Sequence, residues 1–129
     1  MDQNGKKHDI FISYRRNGGY ELARFLYDCL TSDGYSVTFD FDSSRSGRFD
    51  EALLRRIDEC TDFIVVLNKG CFDRILDPKY PRENDWLRRE LGYAIEKKKN
   101  VIPILLEGYE FPGRLPPDID AVRLMNGPS

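Results

Sequence analysis

The sequence predicts a doubly wound α/β domain on a parallel sheet. Three observations lead there. Strand-like and helix-like patterns alternate along the chain. Asp62–Leu67 (DFIVVL) is a continuous apolar run, as in a central parallel strand buried on both faces. A chain of 129 residues with 40% hydrophobic side chains can build one core, and so one domain.

His8–Tyr14 (HDIFISY) is rich in β-branched and aromatic residues and reads as the first strand. It runs into Arg15-Arg16-Asn17-Gly18-Gly19. Leu22, Phe25, Leu26, Cys29 and Leu30 then recur at helical spacing, and this helix ends near Asp33-Gly34. Tyr35–Asp40 is a second strand, and the polar, small Phe41–Arg48 a loop. Phe49–Cys60 carries Leu53, Leu54 and Ile57 on one helical face. After the central strand, Asn68–Asn84 is irregular, with a helical turn at Gly70–Leu76 and breaks at Pro78 and Pro81. Asp85–Lys98 is a helix whose core stripe is Leu87, Leu91, Ala94 and Ile95. Asn100–Leu106 is the fourth strand, Glu107–Pro117 a proline-rich loop, and Ala121–Leu124 a short last strand. No final helix covers that strand, so residues 1–129 read as a single domain cut from a longer multidomain chain.

Composition excludes several classes of function. The 20 basic and 22 acidic side chains nearly cancel, against the basic excess that non-specific nucleic-acid binding needs. No apolar run reaches membrane-spanning length, and the expected location is cytoplasmic. Cys29, Cys60 and Cys71 are odd in number and not closely paired, which reads as reduced thiols rather than a zinc site. There is no GxGxxG after the first strand and no GxxxxGK[ST] loop. His8 is the sole histidine, so Ser-His or Cys-His catalysis lacks parts, and no His/Cys metal site is supported. Lys97–Lys99 fits a helix C-terminal cluster favoured by the macrodipole.

Two features point to chemistry. Ligands of open α/β sheets bind outside the carboxyl ends of the strands. Arg15 and Arg16 follow the first strand there, and guanidinium forks match phosphate geometry. The second feature is Glu90. Its helical neighbours at i−4, i−3, i+3 and i+4 are Trp86, Leu87, Tyr93 and Ala94, none of them cationic. A carboxylate in such company is partly desolvated, and perturbed carboxylates concentrate in functional clefts. Helix geometry alone favours Glu90 pairing with a distant arginine or facing water, and Glu83 also precedes apolar neighbours.

With these segments in place, the chain strongly resembles a TIR (Toll/interleukin-1 receptor) domain over nearly its whole length. Asp9–Asn17 (DIFISYRRN) is similar to the family's first box, and Asp40–Phe49 (DFDSSRSGRF) to its BB loop. Asp85–Leu91 (DWLRREL) resembles the W-x-x-x-E motif of the NAD+-cleaving branch. Asn100–Pro112 (NVIPILLEGYEFP) matches the fourth strand and the loop after it.

The resemblance implies a flavodoxin-like three-layer fold with a central parallel sheet of about five strands, its final helix missing here. It implies a bacterial NAD+ glycohydrolase or cyclase, acting when self-assembled in immune defence or cell death. Glu90 would be catalytic. Arg15 and Arg16 would line the NAD+ site, Phe49 and Trp86 would wall it, and Asp42, Arg45 and Gly47 would serve it from the BB loop. Arg45 stands where animal relatives carry an acid, which bears on how the nicotinamide ribose is held. Tyr109 and Phe111 would complete a neighbouring subunit's site. NAD+ is then the substrate, with no further cofactor and no metal. The expected partners are other TIR domains and a fused or associated sensor domain, with no nucleic acid and no membrane. The alternative is a non-enzymatic adaptor working through TIR–TIR contacts.

Overall fold

A computed structural model of the chain describes residues 9–39, 51–79 and 85–125, without the side chains of residues 16, 39, 51–53 and 74. The expected BB-loop residues Asp42, Arg45, Gly47 and Phe49 therefore lie outside the described residues, as does the side chain of Arg16.

The elements run β1 (Asp9–Ser13), α1 (Arg16–Ser32), β2 (Ser36–Phe39), α2 (Glu51–Glu59), β3 (Asp62–Leu67), α3 (Asp73–Leu76), α4 (Trp86–Glu96) and β4 (Asn100–Leu105), then a 3₁₀ turn at Asp120–Leu124. The four strands are parallel in the order β2-β1-β3-β4. Ile12 of β1 lies opposite Ile64 of β3, and Ile64 opposite Ile102 of β4.

Side chains alternate across a strand, so β1 and β3 feed two cores. Ile10, Ile12, Ile64 and Val66 face α1, with Leu22, Leu26 and Leu30 packed against them. Phe11, Phe63, Val65 and Leu67 face the other way, onto Leu54 and Ile57 of α2 and Leu87, Leu91 and Ala94 of α4. The rings of Phe11 and Phe63 stack with centroids 5.4 Å apart. β3 is buried from Phe63 to Leu67, as its unbroken apolar run predicts.

Three expectations are corrected. The sheet has four strands among the described residues, not about five. The segment read as a last strand is the 3₁₀ turn instead. Ile119 and Val122 are three apart and both fully buried, a spacing that i→i+3 geometry brings to one side and strand alternation would divide. Phe25, read into the first helix's apolar stripe, is 61% exposed.

α1 opens irregularly. Asn17 (ψ 108°) and Gly18 (φ 89°) depart from helical geometry at the turn out of β1. A Cβ on Gly18 would lie 2.5 Å from Asn68 Nδ2, and the positive φ strains any side chain there, so glycine is favoured.

Candidate active site at the carboxyl end of the first strand

The carboxyl end of β1 and the first turns of α4 meet through side chains. Phe11, Ser13 and Arg15 occupy alternate positions of extended backbone, and Arg15 is still extended at φ −88°, ψ 131°. Phe11 joins the core that includes Leu91. The Ser13 hydroxyl donates to Glu90 Oε1 at 2.8 Å, with both residues buried. The Arg15 guanidinium donates from Nη1 and Nη2 to the two Asp85 oxygens, each at 2.8 Å, and from Nε to the Cys71 carbonyl at 2.9 Å.

α4 begins where it does because Asp85 is its N-cap. Its backbone is extended, and Oδ1 accepts from the Arg88 N–H at 3.3 Å. Asp85 is 1% exposed, so its charge is tolerated through the fork–fork pair with Arg15. One carboxylate thus caps the helix and fixes it to the end of β1.

Glu90 is 7% exposed. A carboxylate at this depth needs hydrogen-bond donors, and Ser13 is one. The arrangement buries an acid against the last residue of β1, on the helix that Asp85 holds. Trp86 occupies the first turn of α4, partly buried against the core, with the Arg89 guanidinium 5.7 Å from its ring centroid. Glu90, Trp86 and Arg15 therefore gather at the same end of the sheet.

Arg15, which the resemblance assigns to the NAD+ site, donates from Nε, Nη1 and Nη2 to groups of the protein itself and so cross-links the end of β1 to the start of α4. Tyr109 and Phe111, which the resemblance assigns to a neighbouring subunit's site, are partly buried against the core of their own chain, edge-on to each other at 5.2 Å, with Tyr109 6.1 Å from Phe72. Arg123 lies 5.8 Å over Phe111 and donates to the Pro112 carbonyl, which closes the loop on itself. The Tyr109 hydroxyl is buried without a hydrogen-bond partner among the described residues, and burial pushes its pKa up.

A cleft of about 410 Å³ opens beside Arg15, between the loops that follow β1 and β3. Asn17, Asn68, Lys69 and Asp73 contribute to its lining. This is the topological switch point, where neighbouring strands send their connections to opposite faces. Among the described residues no group of three or more His, Cys, Asp or Glu side chains could hold a metal ion. No described helix is long and apolar enough to cross a membrane.

Sequence reasoning singled out Glu90 and Trp86 and passed over Ser13 and Asp85, the groups that meet Glu90 and Arg15. The available signal was the series Phe11, Ser13, Arg15, which turns from apolar to hydroxyl to cation along one face of a strand that otherwise faces the core.

Comparison with known proteins agrees with this architecture. A family model described as "TIR domain" matches residues 10–128. The chain is 39% identical over 125 residues to the Caenorhabditis elegans protein named NAD(+) hydrolase tir-1, covering 95% of this chain and 12% of that protein. It is 33% identical over 128 residues to zebrafish (Danio rerio) NAD(+) hydrolase SARM1, covering 98% of this chain and 18% of that one. The chain thus spans less than a fifth of either relative. Among solved structures, the TIR domains of the activated Roq1 resistosome, bound to the pathogen effector XopQ, superpose with a TM-score of 0.60 at 21% identity. That match covers 94% of this chain and 65% of the other, and the likeness is one of fold. With a family model spanning nearly all of its length, this chain belongs to the TIR domain family.

Proposed function

We propose that this domain cleaves the bond between nicotinamide and ribose in NAD+, with Glu90 as the catalytic carboxylate. The observation that carries the reading is a carboxylate 7% exposed, held by a hydroxyl at the carboxyl end of the central sheet. Relatives at 33% and 39% identity named NAD(+) hydrolase support it.

The chemistry asks little of the protein beyond electrostatics. Nicotinamide leaves as a neutral ring, taking the bonding electron pair, so no general acid is needed. Positive charge then builds on the ribose, as in other glycosidic cleavages. A preorganised carboxylate beside that sugar stabilises the cation and holds its hydroxyls. Water attacks and loses a proton to give ADP-ribose, or the adenine of the same molecule attacks to give a cyclic isomer.

Activity is proposed to require assembly of several domains, in an immune or cell-death setting. The rival adaptor role would leave the buried, hydrogen-bonded Glu90 as a structural link between α4 and β1. The test is nicotinamide release from NAD+ across protein concentrations, with Glu90→Gln as the control. Wild type should switch on steeply as it assembles. Glu90→Gln should lose roughly 100-fold or more while keeping its fold, as when one transition-state electrostatic partner is deleted. An active Glu90→Gln variant would remove Glu90 from the role, and a wild type silent at every concentration would favour the adaptor.

A further inference from the structure

We propose that Ser13 is the positioning residue of this site. Its hydroxyl orients the Glu90 carboxylate, so that Oε1 is engaged by the protein and the group presents a fixed face to the sugar. The inference rests on the proposed NAD+ cleavage and adds the residue that sets its catalytic group.

The argument starts from where Ser13 lies. On β1 it continues the face of Phe11, toward the core covered by α2 and α4, and it is 1% exposed. Packing alone would favour an apolar side chain there, because a buried hydroxyl is costly without a partner. The hydroxyl meets that cost by donating to Glu90 Oε1 at 2.8 Å. A carboxylate cannot donate, so the hydroxyl hydrogen must point toward Glu90.

The pair is also held in register from a second point. Two residues further along β1, Arg15 grips Asp85 with both terminal nitrogens at 2.8 Å. Residues i and i+2 of a strand stand roughly 6.6 Å apart on one face. Asp85 and Glu90 are five residues apart, a rise of about 7.5 Å along a helix. The end of β1 thus engages α4 at both places. Arg15–Asp85 fixes where α4 starts, and Ser13–Glu90 then fixes how the carboxylate points. Ser13 has a single rotor, and Asp85 and Glu90 are both buried. A reacting carboxylate fixed before substrate arrives avoids reorganising during the reaction, which is the source of electrostatic catalysis.

The experiment compares kcat and KM for nicotinamide release in wild type, Ser13→Ala, Ser13→Thr and Glu90→Gln, all assembled, with a thermal unfolding curve for each. Ser13→Ala should lower kcat about tenfold to a hundredfold, the effect of losing one hydrogen bond to a charged group. Its KM should stay within about twofold, because the interaction matters to the transition state rather than to substrate binding. Ser13→Thr, which keeps the hydroxyl, should regain most of the rate. If the alanine variant does not fold, Ser13→Cys, close in size and a weak donor, is read by the same split. The inference is overturned if Ser13→Ala keeps the wild-type kcat. It is equally overturned if alanine and threonine lose kcat and KM alike in step with their unfolding temperatures. An active wild type, a dead Glu90→Gln and an unaffected Ser13→Ala would sink this inference alone. A wild type inactive at every concentration would sink the proposed function and this inference with it.

Discussion

Arg15 shows how one residue's role turns on what its side chain meets. A guanidinium after a core strand suits a phosphate and a carboxylate equally, and here both Asp85 oxygens and the Cys71 carbonyl take it. Arg15→Lys replaces a planar fork with a single ammonium that cannot meet all three acceptors. It should destabilise the domain by about 1.5–3 kcal/mol, the worth of hydrogen bonds to charged groups. For a chain of this size that is roughly 5–10 °C in unfolding temperature. KM for NAD+ should stay near wild type in the folded variant, whereas a diphosphate anchor would raise it many-fold. Calorimetry and steady-state kinetics on the same preparation separate the two. The burial of Glu90 was legible in the sequence because its four helical neighbours follow from helical spacing alone. Ser13 and Asp85 were not, because their partners lie 77 and 70 residues away and only the fold brings them together.

At the scale of elements, α4 organises the site by tying itself to several parts of the chain. Asp85 and Glu90 reach β1 and its end, Tyr93 reaches Asp58 of α2 at 2.9 Å, and Arg88 pairs with Asp118 at 2.8 and 2.9 Å. Its apolar stripe was plain from spacing, and Leu87, Leu91 and Ala94 are buried as predicted. The segment after β4 was not legible, because a short apolar run at period three looks like a strand until its i→i+3 bonds are known, as from Val122 N–H to the Ile119 carbonyl. Gly92, inside α4, is placed against this segment. A Cβ there would lie 3.5 Å from Asp118 Oδ2 and 3.8 Å from Ile119 Cγ2, which is ordinary contact. Gly92→Ala should therefore fit, and by raising helix propensity it should stabilise the domain by about 0.5–1 kcal/mol. A loss of stability in urea titration would mean that the Arg88–Asp118 pair needs closer approach than the geometry suggests.

Over the whole molecule, burial of ionisable groups sets how the fold responds to alkali. Burial pushes the Cys60 and Cys71 thiols up from 9.0 to about 11. It also raises the phenols of Tyr93, which donates to Asp58 as well, and Tyr109. Each of these groups holds its proton more tightly in the native state than in the unfolded chain. Stability therefore falls with pH wherever the native state binds more protons than the unfolded state. For the thiols the contribution is complete below pH 9 and is lost as the pH rises toward 11. The urea midpoint should stay level from pH 7 to about 8.5 and then drop steadily between 9 and 11. Cys60→Ala and Cys71→Ala should each flatten part of that slope, whatever they do to stability at pH 7. The same burial should shield both thiols from a disulfide reagent at pH 8, while Cys29, which is exposed, reacts first. One fast thiol per native chain and three in denaturant is the expected count, since all three cysteines are free. Three fast thiols in the native protein would mean that the core around β3 opens readily.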